Sequence, residues 1–247
     1  MDGRKGVAGS GGTEIGRGLI FPFFGQYLRP IADLGTQGGQ LPNWTNMTAR
    51  PYLIAPVDLA PEKVAGILTP LLAAVPVAAL LIPRGGMNAD AYGAMAAALV
   101  TIAQQHGCAV LVENDAELAR ALGADGVHVT GGTALLHGVI KALKPDYIVG
   151  AGGISSRHEA MEIGELEVDY LMFGPLSGAA TDADRENAGW WAENFVVPSV
   201  FSDPSSDVPG PDDQGCEFVA IGEKILREPG LAEISMRDRF GLVDVGS

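Results

Sequence analysis

Cysteine is nearly absent from the 247-residue chain, which holds two. Cys108 and Cys216 each open an apolar segment far from CxxC spacing, so they read as small core residues rather than metal ligands or a redox pair. Basic residues are scarce as well: 16 Lys and Arg stand against 30 Asp and Glu, a formal net charge of −14. Such a surface is repelled by phosphate backbones and anionic lipid, which argues against nucleic-acid and membrane partners. A small molecule or another protein is left, with a homo-oligomer open. No uninterrupted apolar run approaches bilayer length, and no charged-then-apolar signal segment opens the chain. A soluble cytoplasmic protein is expected.

What is abundant is a repeated pattern of an acid, a short apolar run and a glycine: Asp125 to Gly131, Asp146 to Gly150, Asp169 to Gly174 and Glu217 to Gly222. The acidic starts at 125, 146, 169 and 217 lie 21, 23 and 48 residues apart, so one strand-plus-helix unit recurs about every 22–24 residues. Each run is too short for a helix and apolar on both faces, as in a parallel sheet covered by helices. Between the runs, apolar residues recur at helical spacing. Tyr92, Met95, Leu99 and Ile102 share one face between Asn88, a cap, and Gly107. Val64, Ile67, Leu68, Leu71 and Leu72 do so after Pro61, and Ser156 with Glu159 has capping-box spacing for a helix through Gly164.

Strands are expected at 52–56, 77–82, 108–112, 125–129, 146–150, 169–174, 195–200 and 217–222. Eight parallel strands with intervening helices predict an α/β fold, a (βα)8 TIM barrel in a single domain over residues 47–247, with an open doubly wound sheet as the alternative. Residues 1–46 lie outside the repeat and are rich in glycine, which predicts a disordered extension. Met47 runs straight into the first strand, so we expect it to be the natural start; an intact native mass that includes 1–46 would reject this. Between 202 and 215, four aspartates with Pro204, Pro209 and Pro211 predict a loop where the repeat calls for a helix.

Three segments in register carry a resemblance. Leu118 to Leu122 followed by Gly123-Ala-Asp-Gly-Val-His-Val129, Tyr52-Leu-Ile-Ala-Pro56, and Ile148 through Glu159 to Asp169-Tyr-Leu-Met-Phe-Gly-Pro175 resemble the thiamine phosphate synthase and thiazole tautomerase (TenI-like) family over about residues 51–225. The resemblance implies a transferase of thiamine biosynthesis that joins a pyrimidine pyrophosphate to a thiazole phosphate and releases pyrophosphate. It implies magnesium on carboxylates as cofactor, with lysine or arginine neutralising the leaving group. A phosphorylated heterocycle of the thiazole or pyrimidine type is the implied ligand.

The residues beside the strand ends depart from the family pattern. Glu113-Asn114 stands where the family has Asn-Asp, and Thr130-Gly131-Gly132-Thr133 where it has Gly-Gln-Glu-Asp, so both magnesium aspartates are missing. Arg84 replaces the lysine of the second strand end. Ser177 to Asp182 keeps a threonine, Thr181, but replaces a lysine by acid, and Val197 to Ser202 stands for a Gly-Gly phosphate turn, where Phe201 is expected to obstruct phosphate. The catalytic candidates are accordingly Arg84, Glu113 and Asn114. Gly131, Gly132, Thr133, Gly152, Gly153, Thr181 and Gly222 are the phosphate-binding candidates, since Gly150 to Ser156 is a glycine-rich turn before a helix start. Glu113 with Asp115 is the remaining magnesium pair; otherwise Asp115 caps the next helix.

His128 lies mid-strand, where alternate side chains point at the helices, and a structural role is expected. The tautomerase histidine has Ile154 or Ser155 in its place, and His158 falls on a helix surface. Trp190 and Trp191 read as packing. Three readings stay open: a synthase with rearranged ligands, a ligand-binding or partner subunit without that activity, and a barrel with a metal-free reaction such as isomerisation.

Overall fold

The computed structural model describes residues 49–206 and 213–227, together with Gly230, Glu233, Ile234, Met236, Arg237 and Phe240. The extension over 1–46 and the start at Met47 lie outside these residues. The elements run β1 (Arg50–Ile54), α1 (Pro61–Ala74), β2 (Ala79–Ile82), α2 (Ala89–Gln105), β3 (Ala109–Glu113), α3 (Ala116–Leu122), β4 (Gly126–Val129) and α4 (Thr133–Leu143). They continue with β5 (Ile148–Ala151), α5 (Arg157–Gly164), β6 (Tyr170–Phe173), α6 (Asp182–Asn194), β7 (Ser199–Ser202), β8 (Phe218–Ile221) and the short α7 (Glu223–Leu226).

Every strand pairs in parallel with the next, and β8 pairs with β1 from Arg50 opposite Phe218 to Leu53 opposite Ile221. The sheet is therefore a closed eight-stranded barrel, and the open-sheet alternative is excluded. The strand expected at 195–200 sits instead at Ser199–Ser202, because α6 runs to Asn194 and Phe195 then stacks on Trp191 at 4.1 Å. Residues 203–206 and 213–217 form no helix, as the proline spacing predicts, while 207–212 lie outside the described residues.

The acid that opens the repeated pattern has a structural task. Asp125 accepts the Val110 N–H at 2.7 Å, Asp169 the Val149 N–H at 2.7 Å, and Glu217 the Ser199 N–H at 2.9 Å. The acids ahead of β4, β6 and β8 thus each satisfy a backbone donor at the start of the odd-numbered strand alongside. Lys144 pairs with Asp169. Asp146, ahead of β5, is exposed.

Alternation along the strands divides the apolar residues into two layers. Tyr52, Leu81, Leu111, Ile148, Met172 and Phe218 fill the barrel interior. Leu53, Leu80, Val127, Leu171, Phe173 and Phe201 face outward, beneath the helices. Cys108 and Cys216 are free and buried, as expected. Helix starts follow the sequence signals closely. Asn88 Oδ1 accepts the Ala91 N–H at 2.9 Å, and Gly107 ends α2 with φ +69°. At α5, Ser156 accepts the Glu159 N–H, but the Glu159 carboxylate returns to Ser155, one residue before the cap.

His128 lies on the inner face of β4. Its strand neighbours Val127 and Val129 face the helices, so alternation turns His128 into the barrel, where it is fully buried. Its Nδ1 lies 2.8 Å from the Tyr170 hydroxyl, which lies 2.8 Å from the Tyr52 hydroxyl. Burial lowers the imidazole pKa to about 3, so the ring is neutral at ordinary pH. Among the described residues no helix is long and apolar enough to cross a membrane.

Candidate functional site

Strand polarity brings the C-terminal ends of all eight strands to one mouth, the face on which barrels of this kind do their chemistry. A cavity of about 420 Å³ opens there, lined by Ile54, Val57, Arg84, Glu113, Asn114 and Leu176 among others. All three catalytic candidates are therefore brought together.

Glu113 is the last residue of β3, and its carboxylate is fixed from two sides. The Arg84 N–H donates to Oε2 at 2.8 Å and the Thr130 hydroxyl to Oε1 at 2.6 Å. From the helix side, Tyr92 braces the strand end: its hydroxyl bonds the Ile82 carbonyl at 2.9 Å and receives the Glu113 N–H at 2.5 Å. Burial raises the Tyr92 pKa, which keeps this phenol protonated. Asn114 takes up a left-handed backbone at φ +57°, one of the few conformations in which asparagine rivals glycine. The turn aims its Oδ1 at the Thr130 and Gly131 N–H groups, 2.8 and 3.2 Å away, and its amide donates to the Thr130 hydroxyl at 2.8 Å. Arg84 itself is exposed; its guanidinium sits 5.9 Å from the Tyr92 ring centroid and makes no ion pair among the described residues. The mouth thus presents one rigid carboxylate beside one unpaired cation.

Asp115 caps α3, its Oδ1 accepting the Leu118 N–H at 2.8 Å. Magnesium takes near-octahedral oxygen ligands, usually with one or two carboxylates. Here both Glu113 oxygens accept protein hydrogens, the Asn114 oxygen is turned to backbone, and Asp115 serves its helix. Among the described residues no three of His, Cys, Asp and Glu are gathered for a metal. The donor set does not fit magnesium.

The phosphate-binding candidates scatter. Gly131 turns its N–H to Asn114, Gly132 precedes α4 with φ +82° and no side-chain cap, and Thr133 opens that helix. In the glycine-rich turn, Gly152 gives its N–H to the Val129 carbonyl at 2.8 Å, while Gly153 adopts φ +72°. The Ser155 N–H and hydroxyl are both taken by Glu159 at 2.8 Å. An internal carboxylate thus takes up the Ser155 donors of this turn. Thr181 caps α6 reciprocally with Asp184. At Gly222 a Cβ would lie 2.4 Å from Pro204, so the side-chain side of that strand end is packed against protein. Phe201 is corrected, because it faces outward and cannot stand in the path of a ligand. His158 is exposed beside Glu162, as expected. Trp191 is buried, and Trp190 lies against it with Arg157 over its ring.

Sequence reading missed Thr130, Tyr92 and the residues Arg185 and Asp203 at the other side of the mouth. Arg185 on α6 pairs with Asp203, directly after β7, at 2.6 Å. Asp-Pro at a strand end was the available signal.

Comparison with known proteins gives a consistent family. The profile described as thiamine monophosphate synthase matches residues 51–198. The thiamine-phosphate synthase of Hyphomonas neptunium is 36% identical over 121 residues, covering 47% of this chain and 55% of that protein, so the chain spans about half of that relative. That of Rhodospirillum centenum is 31% identical over 156 residues, covering 61% and 75%. Among solved structures, a thiamine phosphate pyrophosphorylase from Pyrococcus furiosus superposes with a TM-score of 0.63 at 19% identity, over 81% of this chain and 98% of that one. A tryptophan synthase from M. tuberculosis superposes at 0.57 with 11% identity, over 80% and 94%. At those identities the superpositions speak for the fold alone.

Proposed function

Because the chain belongs to the thiamine monophosphate synthase family, we propose that it binds a phosphorylated pyrimidine-type ligand in the Arg84–Glu113 mouth and has lost the synthase reaction. The observation that carries this reading is a fixed carboxylate and an unpaired guanidinium sharing one cavity. A carboxylate accepts up to about four hydrogen bonds, and Glu113 has capacity beyond its protein donors for a ring amino group. Arg84 matches the anionic group, and Ile54, Val57 and Leu176 offer apolar contact to the ring.

Departure of pyrophosphate develops charge that needs several oriented cations. Among the described residues that line the cavity Arg84 is the one cation, and losing even one such group typically costs about 10²–10³ in rate. Thiazole phosphate, the alternative ligand, finds fewer donors here, because the loops after β6 and β7 are hydrogen-bonded to each other, Ser202 to Pro175 and Ala180 to Asp203.

Calorimetry with the phosphorylated aminopyrimidine, thiazole phosphate and thiamine phosphate tests the reading on the full chain, beside a coupling assay with both substrates and magnesium. Saturable pyrimidine binding is expected, weakened at least ~10-fold by Arg84→Gln, with no product above background. Turnover that Glu113→Ala abolishes would restore the synthase reading, and absence of binding by all three ligands would sink the proposal.

A further inference from the structure

The loops after β6 and β7 are latched together at the mouth. Ser202 Oγ donates to the Pro175 carbonyl at 2.7 Å, and the Ser205 N–H to the Gly178 carbonyl at 3.1 Å. At the centre of the latch is the Asp203 carboxylate. It accepts the Ala180 N–H at 3.2 Å, the Ser205 hydroxyl at 2.9 Å and the Arg185 guanidinium at 2.6 Å. A backbone amide, a hydroxyl and a guanidinium, drawn from two loops and a helix, converge on one anion.

Those three donors are the set with which proteins recognise a phosphate or carboxylate. Their place, at the C-terminal face beside the ends of β7 and β8, is where barrels of this architecture frequently bind phosphate. Arg185 is also held independently of its partner, its guanidinium carbon 5.3 Å from the Phe201 ring centroid. The neighbouring residue completes the closure, since Pro204 fills the space beside Gly222.

We propose that this corner is an anion receptacle closed by the protein's own Asp203, and that Asp203 sets specificity by excluding phosphate-bearing groups from the β6–β7 side of the mouth. The inference concerns a different corner from the Arg84–Glu113 cavity and does not depend on what that cavity binds. Any phosphorylated ligand must then place its anion on the Arg84 side.

Inorganic phosphate is the probe, titrated by calorimetry into the full chain carrying Arg84→Gln, which removes the exposed cation of the neighbouring cavity. In that parent no saturable binding is expected. Adding Asp203→Ala is expected to create a site at least ~10-fold tighter than any residual binding of the parent, with one phosphate per chain. Adding Arg185→Ala to that double variant is expected to abolish it. Thermal midpoints and far-UV circular dichroism check that each protein is folded. Should Asp203→Ala not fold, Asp203→Ser, small and uncharged but still polar, takes its place with the same expected gain. A folded Asp203 variant without phosphate binding, a parent that binds equally well, or binding that survives loss of Arg185 would each overturn the proposal.

Discussion

Gly126→Ala is expected to destabilise the barrel by about 3–5 kcal/mol, a large share of the roughly 5–15 kcal/mol that holds an ordinary domain folded. Gly126 opens β4 opposite Ile148 of β5, with its Cα facing the barrel interior. A Cβ built there would lie 2.0 Å from the Ile148 carbonyl oxygen and 2.7 Å from the carbonyl carbon. The obstacle is backbone, which no rotamer change can move aside. Relief would require β4 and β5 to separate, and both also carry the ring of strand hydrogen bonds that closes the barrel. Gly138, on the exposed face of α4, gives the opposite case: nothing lies within 4 Å of its added Cβ. Gly138→Ala is expected to gain about 0.5–1 kcal/mol from reduced backbone freedom in the unfolded chain. Urea unfolding at neutral pH measures both. A Gly126→Ala protein within about 1 kcal/mol of wild type would show that the strand pair adapts to the extra carbon.

The barrel was legible because its signals are local. The acid-to-glycine runs, the caps Asn88 and Ser156 and the helical spacing of Val64 to Leu72 each act within a few residues, and each sits where expected. The acids proved to bond the adjacent strand rather than their own, a relation between residues 15 to 20 apart. The candidate site was legible where it lies next to strand ends, at Arg84, Glu113 and Asn114. It was illegible where partners come from distant elements. That Thr130 holds Glu113, or that Arg185 reaches Asp203, depends on how strands close around an axis. Orientation was the other weak point. Phe201 was assigned to the wrong side of its strand and the side of His128 was left open, because strands apolar on both faces carry no alternation to reveal which side is which.

Lowering the pH from 7.5 to 5.0 is expected to cost the folded state about 2 kcal/mol through His128 alone. The imidazole is fully buried, with Nδ1 on the Tyr170 hydroxyl and Nε2 without a partner. Burial brings its pKa from 6.5 to about 3, since a charged ring there would leave one N–H unbonded in an apolar interior. The Tyr170 pKa is raised by burial, so that phenol stays protonated and supplies no compensating charge. Between about pH 3 and 6.5 the unfolded chain therefore binds a proton that the folded chain excludes. Stability rises with pH through that window, is fully present above pH 6.5 and falls by ~1.4 kcal/mol for each unit well below it. His128→Gln removes the titration while keeping a hydrogen-bonding group within reach of Tyr170. The variant is expected to be about 1–3 kcal/mol less stable than wild type at pH 7.5, because the imidazole stacks on the Tyr170 ring with centroids 5.6 Å apart, yet to lose about 2 kcal/mol less on acidification to pH 5.0. Urea unfolding of both proteins at the two pH values measures the difference. Equal losses in wild type and variant would place the acid sensitivity on the carboxylates and show that the interior accommodates a protonated His128.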